Sequence, residues 1–440
     1  MDSKHFLLTI FTIKNTAMNQ EKISKLNDTI ISASNKIKVL SALPWPAEAE
    51  EHFLNDWNRG NVRLPKIKLE QKDVSASIEV LEGVIKLCDL QHPVEKFLAE
   101  TARSYANAGR MLMNVGTPEF TTYSIKLYGR PDMVYKLQGI SAVDGAKFFL
   151  DLTEKLLGNP KIEPVETDIS AEKFAKWLKK EVDEFFTEDK IEVRTDDKLS
   201  SKAIAGATRI RIRANAVFSQ LDKDQLLCHE AFIHTATQLN GRKQINLTCL
   251  GLGAPRTTRA QEGIAVFAEL ITNAIDLSRL RRIALRVIAV QMALEGADFI
   301  DLFKFFLNAG QSENESVKSA QRIFRGGDVK NKVVFTKDGV YLQGLLEVHT
   351  MLRIAIRDNK PELVSNLFAG RLTIADTIRL NEYFEKGWLI PPVYMPTWAK
   401  DLRRLAAMLA FSAFITNINL DVVTLDRFLL LDEAIMTSGD

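Results

Sequence analysis

Cys228-His229-Glu230-Ala231-Phe232-Ile233-His234 is the stretch whose reading decides the fold. It follows Leu226-Leu227 and precedes Asn240-Gly241, a helix-stop pair, so it is expected to lie on a helix of about three turns. Two neutral imidazoles with a carboxylate beside them suit a catalytic zinc site. The better-known zinc-peptidase spacing, His-Glu-x-x-His, puts both histidines on one helix face. Here the spacing is one residue longer. At ~100° per residue, His229 and His234 stand ~140° apart on an ideal helix. They can share an ion only if the helix winds wider between them, as in a π-bulge, or ends there. The plain alternative is that Glu230 and His234, at i,i+4, form an ordinary helix-face pair.

A second stretch raises the metal reading. Thr257-Thr258-Arg259-Ala260-Gln261-Glu262-Gly263-Ile264-Ala265 opens another helix, with either threonine as its cap. Glu262 is expected in the first turn, next to Gly263, a small residue that permits close packing. Glu269 falls seven residues on, on the same face. A glutamate from a second helix is the usual completion of a two-histidine, one-glutamate zinc site. Taken alone, Glu262 would merely complement the helix dipole.

Further out, the bounds are ordinary. The 440 residues allow two or three domains, and 46% apolar with 26% charged residues is globular composition. A net charge of +2 gives no electrostatic argument for nucleic acid or an anionic membrane. Three cysteines, Cys88, Cys228 and Cys249, imply no disulfide framework and point to a reducing, cytoplasmic setting. Phe6 to Ile13 is too short to span a bilayer. Residues 1–17 are read as a disordered leader. No later segment is apolar for long enough to form a membrane helix.

The regions follow in order. Residues 18–160 read as a helical N-terminal region, with helices at 19–40, 47–58, 73–91 and 93–114, the last two divided at His92-Pro93. His52 and His92 are isolated. Leu127 to Asp132 is a sharp turn, and 143–157 a further helix. Asn159 to Thr167 is the linker, and 161–440 the catalytic region. Ser170 caps a helix running to Phe186, and Ile191 to Arg194 is a strand. Ala207 to Ala214 alternates arginine with isoleucine, as a half-buried strand does. It either accepts an extended peptide by edge addition or is a charged, protected edge. Helices with breaks near Gly296 and Gly310 fill 276–308. Val333 to Leu342 reads as strand, turn and helix start, 342–357 as helix, and 396–415 as a helical tail. His349 is expected to be packed or hydrogen-bonded.

His-Glu-x-x-x-His at 229–234, Asn240-Gly241, Gln261-Glu262-Gly263-Ile264-Ala265, and Phe335-Thr-Lys-Asp338 followed by Tyr341-Leu342-x-Gly344 together resemble one family. It is that of the microtubule-associated tyrosine carboxypeptidases and their bacterial relatives, known by a Gln-Glu-Gly-Leu-Ala motif. Tyr128-Gly129-x-Pro131 and Arg325-Gly326-Gly327-Asp328 look like further blocks, so the resemblance covers about residues 30–430. Ile264 stands where leucine is usual. Phe232 replaces a smaller residue and is expected to narrow the site. Eukaryotic members remove a C-terminal tyrosine from tubulin.

The resemblance implies a helix-rich α+β protein, with a helical N-terminal layer on a zincin-like core with a small sheet. It implies one zinc per chain, held by His229, His234 and Glu262, with a position left for water. Glu230 would be the general base. Tyr341 is the expected oxyanion donor. A carboxypeptidase also needs a cation for the terminal carboxylate. Arg322 and Arg325 are expected there, with Arg256 and Arg259 behind them. Glu269 would orient a zinc-bound histidine. The substrate would be the C-terminal tail of a peptide or protein. The competing reading is a non-enzymatic helical interaction protein with a vestigial or structural metal site. A structural site would normally be closed by four ligands, and Cys228 faces away from His229.

Overall fold

A computed structural model describes residues 20–135, 139–159, 165–197, 199, 201–330 and 333–418. Residues 1–17 and residues 160–164 of the expected linker lie outside them. The chain is predominantly helical with two small sheets, in agreement with the α+β expectation. No described helix is long and apolar enough to cross a membrane.

The N-terminal helices form where heptad-like apolar spacing meets proper ends. Residues 20–34 bury Ile23, Leu26 and Ile30. Pro93 occupies the first turn of Pro93–Met113, where its missing N–H costs nothing. The His92 ring accepts from the Glu95 N–H at 3.4 Å, so this histidine is a helix cap. These helices share the largest apolar core with Ile233, Ile264 to Ala268, the Tyr341 to Leu352 stretch and the C-terminal helix. A second core is rich in phenylalanine: Phe53, Phe299, Phe303, Phe306 and Phe324.

Five short strands among the described residues form the sheets. β1 (Ile169–Ser170) pairs antiparallel with β5 (Val217–Phe218). β2 (Glu192–Asp196), β4 (Arg209–Arg213) and β3 (Ala203–Ala205) form the other sheet, in the order β2-β4-β3. Ile210 and Ile212 on β4 are fully buried against the helix Ala171–Phe185, while Arg209 and Arg211 pair with Glu192 and Asp196. The half-buried character is therefore as expected, but β4 is the central strand. Its backbone is paired on both sides and cannot accept a further strand. Alternation reports which face is buried; strand order depends on partners distant in sequence.

Two more expectations are corrected. Asn240-Gly241 does not stop the helix, which continues to Arg242. Asn240 is buried and donates to the carbonyls of Phe368 (2.8 Å) and Tyr394 (2.7 Å), while a Cβ on Gly241 would collide with the Leu250 backbone. The pair serves tertiary contact. Val333 to Phe335 forms no strand; Phe335 is extended and leads into the 3-10 turn Thr336–Gly339 and the helix Val340–Arg357. The Val334 N–H instead donates to Thr121 Oγ1 at 2.7 Å.

Candidate metal centre and its cavity

The His-Glu stretch lies on a π-helix, Leu227–Thr235, between the α-helical segments Gln220–Leu226 and Ala236–Arg242. In a π-helix the backbone bonds run i to i+5, so residues five apart stack on one face. This is the wider winding that a shared ion demands of the spacing. The two rings stand edge to face with centroids 4.8 Å apart. Two contacts tie the segment to the end of β3: the Ala205 N–H donates to Glu230 Oε2 at 2.9 Å, and Thr235 Oγ1 donates to the Gly206 carbonyl at 3.1 Å. Glu230 therefore faces the sheet end of the cavity, held by a backbone donor.

Glu262 arrives on the helix Thr258–Ile271, one residue beyond its first turn. That is one step further in than expected, and it weakens the helix-dipole account of this carboxylate. Its neighbours in sequence explain how it is aimed. Gln261 accepts the Thr237 hydroxyl at 2.7 Å, clamping this helix to the His234 segment. A Cβ on Gly263 would collide with the Gly344 carbonyl, and one on Gly344 with the Arg259 carbonyl. The two helices thus cross backbone to backbone. The crossing brings Tyr341, one turn before Gly344, to the same side as Glu262.

His229, His234 and Glu262 each offer one ligand atom, and these lie within 4.8 Å of one another. Glu262 Oε2 stands 3.3 Å from His229 Nε2 and 3.4 Å from His234 Nε2. It is buried and makes no aligned hydrogen bond. A buried acceptor without a donor is costly, so this oxygen suits a cation. Two nitrogens and one carboxylate oxygen converging on one point could hold a divalent metal and leave a coordination position open.

The surroundings fix these groups unequally. His229 Nδ1 contacts Glu269 Oε1 at 2.6 Å, which turns Nε2 towards Glu262. Glu269 is wholly buried and receives both Arg279 donors, at 3.0 and 2.9 Å, and Gln225 at 3.3 Å. Burial opposes the charged His229 ring, but Glu262 and Glu269 prevail and lift its pKa to about 10. Burial likewise opposes the Glu269 carboxylate, yet Arg279 and His229 hold it down at about 2. The site favours a positive charge where the ligand atoms meet.

Nothing in the sequence sets Lys337 apart from the Phe335-to-Asp338 motif that contains it. It lies on the 3-10 turn and donates to Glu262 Oε1 at 2.9 Å, with its amine 3.5 Å from the Tyr341 hydroxyl. Burial disfavours its ammonium, but Glu262 outweighs this and raises its pKa above the ordinary lysine value. Glu262 thus has one oxygen held by a cation and the other presented with the histidines.

These groups open into a cavity of about 1280 Å³, which also carries Tyr341, Arg322, Arg325 and Arg371 on its walls. That exceeds the volume of a typical small-molecule pocket and is ample for a chain end. Arg322 sends two donors to Asp338, one at 2.8 Å. Arg325 lies nearby, and burial together with the Arg322 charge lowers its pKa to about 10. Arg256 is engaged by Asp376 and Glu100, and Arg259 by Glu347. His349 packs near Phe267, with ring centroids 5.9 Å apart, and lies outside the ligand group. Cys228 Sγ turns to Thr272 Oγ1 at 3.5 Å. Phe232 does not line the cavity: its ring lies tilted against Phe185, with centroids 4.4 Å apart, packed against the core under the sheet. The wider winding turns the middle of the motif away from the ligands, so Phe232 does not narrow the site.

No curated protein matches the chain. The sequence profile of the microtubule-associated tyrosine carboxypeptidases matches residues 51–417, which takes in every site residue named above, and the chain belongs to that family.

Proposed function

We propose that this protein is a zinc-dependent carboxypeptidase that removes a C-terminal, tyrosine-like residue from a peptide or protein tail. Membership of a carboxypeptidase family, hydrolases of a terminal peptide bond, supports the activity. The observation that carries the zinc-dependent reading is the convergence of His229, His234 and Glu262 through a π-helix, with Glu230 beside them. A zincin-like core, with the ligand helix packed beside a small sheet, is part of the same reading.

Zinc bound by His229, His234 and Glu262 would polarise the scissile carbonyl and lower the pKa of the attacking water. Glu230 then takes the water's proton and passes it to the leaving amine. The Ala205 N–H that it accepts keeps this carboxylate oriented and apart from the ligand atoms. Tyr341 donates its hydroxyl to the developing oxyanion. Lys337 holds Glu262 by one oxygen and places positive charge beside Tyr341, which favours the same oxyanion. Glu269 and Arg279 keep His229 in one tautomer and one orientation.

The test is metal content by elemental mass spectrometry, run beside hydrolysis of a C-terminal peptide library. The parent should carry about one zinc per chain, and His229→Ala and Glu262→Ala should lose it while staying folded. Glu230→Gln should keep the metal and lose cleavage by a factor of about 10² to 10⁴. A parent that binds no metal even when zinc is supplied would leave a non-enzymatic interaction protein as the better account. Unimpaired turnover in Glu230→Gln would remove this residue as base.

A further inference from the structure

Cations in a buried cavity normally carry a counter-ion. Around this cavity most do: Arg322 has Asp338, Arg211 has Asp196, Lys318 has Glu50 and Lys337 has Glu262. Arg371 makes no direct ion pair among the described residues, although the Glu262 and Glu230 carboxylates act on it from further off. Among the described residues its Nη2 meets neutral acceptors, the His234 carbonyl at 3.3 Å and Gln238 Oε1 at 3.4 Å. Its Nε is buried without a hydrogen-bond partner. The backbone is nonetheless firmly placed, because the Arg371 N–H donates to the Leu250 carbonyl at 2.8 Å. Gly253 lies close to the guanidinium: a Cβ there would stand 2.9 Å from Nη1. A five-donor fork, held in place and short of acceptors, suits a carboxylate.

Its position adds the second argument. His234 presents its imidazole to Glu262 and its own carbonyl to Arg371. The guanidinium and the ligand cluster therefore share one cavity wall and are joined through a single residue, His234. In a C-terminal substrate, the terminal carboxylate lies one residue beyond the scissile carbonyl. We propose that Arg371 anchors the free C-terminal carboxylate of the substrate and so restricts cleavage to the last peptide bond. This rests on the carboxypeptidase reading above. It assigns Arg322 a different task, since its donors already hold Asp338 next to Lys337.

The test uses the full-length protein loaded with zinc. The probes are two pools of octapeptides ending in tyrosine or phenylalanine, identical except that one has free acids and the other C-terminal amides. In Glu230→Gln protein, calorimetry should find the acids bound at least tenfold more tightly than the amides. Adding Arg371→Gln should erase that preference, and adding Arg371→Lys should restore part of it. In otherwise parental protein, Arg371→Gln should raise KM for the acids far more than it lowers kcat, with circular dichroism unchanged. An acid preference that survives Arg371→Gln, or that is missing in the Glu230→Gln protein itself, overturns the assignment. The two readings fail separately. Arg371-dependent acid binding in a protein that hydrolyses neither pool sinks the peptidase and keeps the anchor. Hydrolysis of the acids with KM unmoved by Arg371→Gln sinks the anchor and keeps the peptidase.

Discussion

The two histidines of the π segment sit in opposite surroundings. Behind His229 is a closed network, in which Glu269 meets the ring and Arg279 and Gln225 meet Glu269. Behind His234 there is no such support among the described residues: its Nδ1 is buried without a hydrogen-bond partner there, and its carbonyl faces Arg371. The side chain of His229 is 6% exposed and that of His234 14%. The difference separates two tasks. One side of the cluster is preorganised and pays for its buried charges with one another. The other is left open, on the wall where a substrate's end would lie.

The largest expected effect breaks the closed side. Glu269→Gln leaves Arg279 buried without its carboxylate, which typically costs about 3–5 kcal/mol. Losing the charge behind His229 should also weaken metal binding about 10–100-fold. Chemical denaturation and a chelator competition titration measure these two losses, and if both stay at parental values the network is dispensable. A pH signature accompanies it. The Glu269 pKa is lowered on folding from 4.5 to about 2. A depressed folded pKa contributes stability that is present above 4.5 and lost as pH falls through about 2. Metal-free parent protein should therefore lose stability across that window, and Glu269→Gln should lose less of it.

A middle effect comes from the joint between the two sides. Gly263→Ala puts a methyl into the Gly344 backbone, and overpacking of this kind costs about 1–3 kcal/mol. Turnover should fall as well, because Glu262 and Tyr341 are spaced by that contact. A shift in the denaturation midpoint with unchanged kcat would show that the spacing matters less than the packing. The smallest effect sharpens the contrast from outside. Phe232→Leu should cost about 1 kcal/mol through its contact with Phe185. It should leave kcat/KM where it was. A changed substrate preference would return Phe232 to the site.

Much of this arrangement was legible in the sequence wherever a local rule decided it. Helix starts at Pro93 and Ser170 follow from capping chemistry. The five-residue spacing of His229 and His234 demands a wider helix for a shared ion, and Leu227–Thr235 has one. Gly263 beside Glu262 signalled close packing, and the packing is there. What stayed hidden depends on contacts distant along the chain. The central place of Arg209–Arg213 requires knowledge of both its neighbours. Asn240-Gly241 has the composition of a helix stop, yet its amide bonds to residues more than a hundred positions away. Arg371 carries no local signal at all; only folding brings it beside His234.

The bare backbone crossing at Gly263 and Gly344 has a wider consequence. Most helix pairs are separated by side chains, so their spacing drifts as sequences diverge. Here the spacing is set by main-chain atoms, which no substitution alters unless it removes one of the glycines. Glu262 and Tyr341 thus ride on a reference joint that is insulated from change elsewhere in the core. The cavity wall can vary while these two groups keep their separation, so under the proposed function a search for altered specificity is best aimed at the wall, with the joint left intact.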